Sequence, residues 1–97
     1  MTGDQSAAEI AAERIDRLGE LAREATRAGE IERARRYVRR VRRIAERHRL
    51  GLPRRFKRFT CDACDRYLVP GRNGRVRTRD GHVAVTCECG ATARYPY

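Results

Sequence analysis

The residues with the most definite chemistry in this chain are its four cysteines. Cys61 and Cys64 form a C-x-x-C pair, and Cys87 and Cys89 form a C-x-C pair beyond a twenty-two-residue insert. A tetrahedral metal ion with metal–sulfur bonds of about 2.3 Å needs four sulfurs about 3.8 Å apart, which two short turns facing each other supply. Two such pairs around a hairpin-length insert read as a zinc ribbon, with one structural Zn²⁺ on Cys61, Cys64, Cys87 and Cys89. Four thiolates leave no open coordination position, so such an ion contributes folding free energy and not catalysis. His82 could replace one sulfur as a ligand, but a surface histidine is the simpler reading.

Other chemistries find little support. A redox-active C-x-x-C needs a βαβ context, which the sequence lacks. Asp62, Asp65 and Glu88 flank the cysteines and read as ordinary exposed turn residues. There is no Gly-rich phosphate loop, Ser/His/Asp set or carboxylate pair with acid/base spacing. The chain alone does not read as an enzyme.

The elements that must position the cysteines are short of apolar material. The chain has 97 residues, of which 6% are aromatic and 37% charged. A unit below about 40 residues needs a staple to fold, and residues 59–97 with their four cysteines are such a unit. Upstream, Ser6-Ala7-Ala8-Glu9 fits a capping box. Ile10, Ala11, Ile15, Leu18, Leu21, Ala22 and Ala25 then recur at helical spacing, predicting a helix over 7–28, after a frayed polar start at 1–5. Gly29 marks a stop, and Ile31, Ala34, Val38, Val41 and Ala45 predict a second helix over 30–49, ended by Gly51 and Pro53.

The predicted fold is thus a small α+β chain. An antiparallel two-helix hairpin occupies 1–50, a basic linker 51–58, and a ribbon of short antiparallel strands 59–97. Strands are expected at 66–69, 75–78, 82–86 and 91–95, with turns at Pro70-Gly71, Asn73-Gly74 and Asp80-Gly81. Each helical stripe is narrow, which leaves an apolar strip for a partner (Ile10, Ile15, Leu18, Val38, Val41); the competing reading is that both stripes are consumed internally. Phe56 and Phe59 can either stack on bases or anchor the helices to the ribbon, and the anchoring role is favoured.

Charge points to a polyanion. Residues 1–32 carry four Arg against eight acids, whereas residues 33–97 carry nineteen basic residues against five acids. Of the 23 basic residues 22 are arginine, suited to bidentate phosphate contacts. The second helix presents Arg33, Arg35, Arg36, Arg39, Arg40, Arg42, Arg43, Arg47 and Arg49 with almost no acid between them. Like charges at i, i+4 destabilise a helix, so this face makes sense if something anionic neutralises it. No apolar run reaches the roughly 18 residues that span a bilayer, and no signal-peptide core follows Met1, so a cytoplasmic protein without membrane contact is expected.

These motifs together resemble a known family. Cys61-x-x-Cys64, Leu68-x-Pro70-Gly71-x-Asn73, Arg75-Val76-Arg77, Gly81-His82, Thr86-Cys87, Cys89-Gly90 and Arg94-Tyr95-Pro96-Tyr97 resemble archaeal ribonuclease P protein component 4. The helix pair and basic linker share that layout. The resemblance implies a non-catalytic subunit of the ribonucleoprotein that removes 5′ leaders from precursor tRNA, an endoribonuclease whose catalyst is its RNA. It implies metal ligation by Cys61, Cys64, Cys87 and Cys89. It also implies pairing through the helices with the barrel-shaped component 1, and contact with ribonuclease P RNA and precursor tRNA. On charge and position the RNA-contacting candidates are Arg54, Arg55, Lys57, Arg58, Arg75, Arg77, Arg79 and Arg94. One departure is the C-x-C pair where the family has C-x-x-C; the tighter turn offers fewer backbone N–H groups to sulfur and bears on metal affinity, not on the fold. Two competing readings are a generic zinc-ribbon module of the ribosome or transcription machinery and a stand-alone metal-dependent nuclease.

Overall fold

A computed structural model describes residues 6–96; the start at 1–5 and Tyr97 lie outside the described residues. Helix α1 spans Ala7–Arg27, and the Ser6 hydroxyl accepts a hydrogen bond from the Glu9 N–H at 3.2 Å, as the capping pattern requires. It ends in a Schellman turn: the Glu30 N–H reaches Ala25 O at 2.8 Å, the Gly29 N–H reaches Thr26 O at 3.0 Å, and Gly29 takes φ +80°. Helix α2, Ile31–His48, packs antiparallel against α1.

The end of α2 departs from expectation. Gly51 does not supply the left-handed residue; Arg49 does, at φ 53°, and the Leu50 N–H bonds Ala45 O at 2.8 Å. Leu50 gains contact with the hairpin core by this turn, which compensates for placing a non-glycine in that conformation. The stretch read as a linker is also ordered. It contains a short helix α3, Arg54–Arg58, started after Pro53 at φ −55° and seated by the buried Phe56.

The ribbon has a three-stranded antiparallel sheet in the order β1-β2-β3, with β1 at Gly74–Arg79, β2 at His82–Cys87 and β3 at Thr92–Pro96. Residues 66–69 are not a sheet strand. Tyr67 forms one isolated bridge to Thr60, and the segment serves as a bracket between helices and sheet. Its side chains nevertheless alternate: Tyr67 and Val69 pack on the hairpin core, while Leu68 packs with Cys61, Val85 and Cys87.

Two apolar clusters result. The larger contains Ile15, Ala22, Val38, Val41, Ala45, Phe56 and Tyr67, with the Phe56 and Tyr67 rings edge to face at 6.4 Å. Of the five residues expected to meet a partner, Ile15, Val38 and Val41 are therefore not at the surface, being 3%, 0% and 0% exposed. Phe56 and Tyr67 widen the core beyond what two Ala-rich stripes could form, and they cover those three side chains. Ile10 is 44% exposed and Leu18 is half-buried, so only these two remain reachable. Among the described residues no helix is long and apolar enough to cross a membrane.

Candidate metal centre and arginine surface

The two cysteine pairs converge. Cys61 Sγ lies 3.6 Å from Cys89 Sγ, Cys64 Sγ lies 3.6 Å from Cys87 Sγ, and all four sulfurs fall within 4.8 Å of one another. These separations bracket the roughly 3.8 Å edge of a tetrahedral thiolate site, so the four residues can hold one metal ion. Burial pushes the Cys87 thiol up to about 12 and also raises Cys61. Cys89 is drawn down to about 7, first by its backbone hydrogen bond with Ala91 and then by the Cys61 and Cys87 side chains. Buried sulfurs that resist ionisation alone become thiolates when a divalent cation supplies the opposing charge. The C-x-C spacing is accommodated because Gly90 takes φ +97°, and the Cys89 N–H lies 3.4 Å from Cys87 Sγ.

The first knuckle is gripped by α2. Arg35 Nε donates to Cys64 O at 2.8 Å and Arg42 Nη2 donates to Cys61 O at 3.3 Å. Arg39 Nε meets Asp65 Oδ2 at 3.0 Å, and Arg42 pairs with both Asp65 and Asp62. Asp62 and Asp65 are thus not idle turn residues. They pair with two of the three arginines that share one face of α2, Arg39 and Arg42, and Asp65 adopts φ 62°, a conformation Asp tolerates better than most residues. Ion pairs open to solvent contribute about 1 kcal/mol or less each; the Arg42–Asp65 pair is half-buried, each side chain at 25% exposure, and together with the two carbonyl contacts these pairs hold the knuckle against α2. The spacing of Arg35, Arg39 and Arg42 by four and three was the available sequence signal; it was lost within a face that looked uniformly basic.

Three further residues carry the site without having been singled out for it. The Asn73 side chain is buried and brackets the loop, accepting from the Val69 N–H at 2.7 Å and donating to Tyr67 O at 3.0 Å. The Thr26 hydroxyl, in the middle of the hairpin, donates within 3.1 Å of the same Tyr67 carbonyl. The Arg66 guanidinium comes within 4.0 Å of Cys64 Sγ, placing a cation beside the sulfurs.

The expected RNA-contacting residues fall into two groups. Register pairs Arg75 with Thr86, Arg77 with Ala84 and Arg79 with His82, while Ala84 pairs in turn with Arg94. Because side chains alternate across a strand, Arg75, Arg77, Arg79 and Arg94 share one face with His82, Thr86 and Thr92, where they line an open depression. None of these four arginines is in an ion pair among the described residues. The other face of the sheet sends Val85 and Tyr95 into the ribbon core.

Arg54, Arg55 and Lys57 are exposed on α3, away from that depression. Arg58 is engaged internally: its guanidinium carbon sits 5.9 Å from the Tyr95 ring centroid, and its Nη2 donates to Pro96 O at 3.2 Å. With the Tyr95 hydroxyl donating to Lys57 O at 2.8 Å, Arg58 ties α3 to β3.

Comparison with known proteins converges on one family. The RNAse P Rpr2/Rpp21/SNM1 subunit domain matches residues 14–90. Ribonuclease P protein component 4 of Halobacterium salinarum is 70% identical over 90 residues, covering 93% of this chain and 97% of that protein. The component 4 protein of Methanocaldococcus jannaschii is 47% identical over 91 residues, covering 90% and 71%. A chain in the cryo-EM structure of archaeal ribonuclease P with mature tRNA superposes with a TM-score of 0.93 at 42% identity, over 100% of this chain and 84% of that one. On the family match over residues 14–90, the identity to the component 4 proteins and the superposition over the whole chain, the chain belongs to the RNAse P Rpr2/Rpp21/SNM1 subunit family.

Proposed function

We propose that the chain is a non-catalytic, RNA-binding subunit of ribonuclease P, acting on precursor tRNA within a ribonucleoprotein whose RNA performs the chemistry. The observation that carries this reading is the row of four arginines, none in an ion pair among the described residues, on the outer face of the sheet whose strand β2 ends in the sulfur cluster. Threonines between them add neutral hydrogen-bond donors, and no acid shares the face. Such a surface suits a phosphate backbone, to which Arg binds bidentately. The donor set of four cysteines fits Zn²⁺, with all positions filled by protein, so the metal's role is structural.

Each lost phosphate contact lowers the salt slope of binding by about one. Arg75→Ala with Arg77→Ala is therefore expected to reduce the slope for ribonuclease P RNA by about two and to weaken binding about tenfold or more. Fluorescence titration over a salt series measures both quantities, and an unaltered slope removes the sheet face from the interface.

The same proposal divides the chain into 1–50 for a protein partner, 51–58 as a basic connector and 59–97 as the RNA-facing ribbon, with component 1 as the partner. Ile10 and Leu18, the reachable apolar residues of α1, support that contact. Ile10→Asp is expected to weaken co-elution with component 1 while leaving the circular dichroism of the chain unchanged, because Ile10 is 44% exposed, whereas Leu18 packs against the hairpin core and its replacement by Asp would also lower stability. The double variant is expected to abolish co-elution. Co-elution that survives the double variant places the protein contact elsewhere.

A further inference from the structure

The arginines of α2 serve two separate ends. Arg35, Arg39 and Arg42 face the first cysteine knuckle and are hydrogen-bonded there. Arg33 pairs with Glu30 at 2.8 Å. Arg36, Arg40, Arg43 and Arg47 follow one another by four, three and four residues, and all four are exposed. At about 100° per residue they form a single row, turned roughly 100° from the knuckle-facing row and nearly opposite the buried row of Ala34, Val38, Val41 and Ala45. Among the described residues none of the four is in an ion pair or hydrogen bond.

We propose that this outward row on α2 is a second RNA-backbone contact, separate from the sheet face; it rests on the reading of the chain as an RNA-binding subunit. The row contains three successive like-charge neighbours at i, i+3 or i, i+4, each destabilising by a few tenths of a kcal/mol. A merely solvated face would relieve that repulsion with acids. The two nearest acids do so only weakly: Glu32 is held by Arg35 at 2.7 Å and acts on Arg36 only as a minor charge interaction, and Glu46 is in no ion pair with Arg43 among the described residues.

Shape selects the kind of polyanion. Eleven steps of about 1.5 Å from Arg36 to Arg47 make a straight row about 16 Å long, comparable to several consecutive phosphates and too extended for a small anion. The planar guanidinium forks suit phosphate oxygens, whereas an acidic protein surface would be met as well by Lys, which the chain uses once. Since the knuckle-facing arginines lock α2 to the ribbon, the row is held at a fixed position relative to Arg75 and Arg77. Two arginine rows on one rigid body can grip two segments of a folded RNA.

The test is the full chain carrying Arg36→Gln, Arg40→Gln, Arg43→Gln and Arg47→Gln, titrated with transcribed ribonuclease P RNA over a salt series. Gln has nearly the helix propensity of Arg, and the substitutions remove repulsion, so helicity and melting temperature are expected to hold or rise. The salt slope is expected to fall by about four and the affinity by about tenfold or more. Unaltered slope and affinity here, with binding still weakened by Arg75→Ala plus Arg77→Ala, overturn the second contact and leave the RNA-binding reading intact. If both variants bind as the unmodified chain does, the RNA-binding reading fails and takes the second contact with it. Normal RNA binding with loss of co-elution with component 1 assigns the row to a protein interface and also overturns the proposal.

Discussion

Replacing Cys61 and Cys64 by Ser in the same chain is expected to abolish metal binding and unfold the ribbon over residues 59–97, with much of the helical signal retained. Structural zinc sites contribute about 10–16 kcal/mol of apparent binding free energy in zinc-finger peptides, and a whole domain is stable by only about 5–15 kcal/mol. The ribbon cannot absorb such a loss. Its buried cluster consists of Cys61, Leu68, Val85 and Cys87, so half of the buried positions are the ligands themselves. The hairpin core contains no cysteine and keeps Phe56, but it loses Tyr67 with the ribbon, so the helices outlast the metal with a lowered melting temperature. Releasing the knuckle also frees Arg35, Arg39 and Arg42 from their acceptors, so α2 will show lower helicity at low salt than at high salt. Metal analysis of the unmodified chain is expected to give about one zinc. A ribbon that keeps its dispersed amide resonances in the double variant, or in excess chelator, refutes the structural role of the metal.

Tyr67→Ala is expected to destabilise the chain by about 3–5 kcal/mol without reducing its metal content. Tyr67 is 5% exposed, belongs to the hairpin cluster and meets the Phe56 ring edge to face, yet it sits in the chain between the two cysteine pairs. Its carbonyl accepts from both Thr26 of α1 and Asn73 of the ribbon loop. Truncation therefore opens a cavity where helices and ribbon meet while leaving the four sulfurs in place. At about 4–8 °C per kcal/mol for a chain of this size, the melting temperature drops by at least about 12 °C. Tyr67→Phe keeps the ring and is expected to change it little. A small shift for Tyr67→Ala would mean that the two halves of the chain fold independently.

Much of the fold was legible because local rules dominate where the pattern is strong. Both helices lie within one or two residues of the spans their periodicity predicts, and the Ser6 cap and the Gly29 turn act as their residue types require. Three strands fall within about a residue of their predicted spans, since Asp80-Gly81 makes a tight turn whose alternation sets Arg75, Arg77 and Arg79 on one face. The errors share one origin. Residues 66–69 have a strand's alternation but no neighbouring strand to complete a ladder, and residues 54–58 look like a linker until Phe56 finds a core to enter.

The cysteine spacing, the amphipathic periods and the excess of arginine were sufficient to establish a stapled ribbon behind a helical hairpin with a polyanion as its partner, because each is a property of neighbours along the chain. Which arginines are free and which are spent was not of that kind. It depended on Asp62 and Asp65 lying well beyond the end of α2 in sequence yet against it in space, and on Arg58 folding over Tyr95. The same holds for Ile15, Val38 and Val41, which Phe56 and Tyr67 cover from distant parts of the chain. Ion pairing and burial are long-range facts, and only packing turns a basic, amphipathic helix into one face that holds the first cysteine knuckle and another open to solvent.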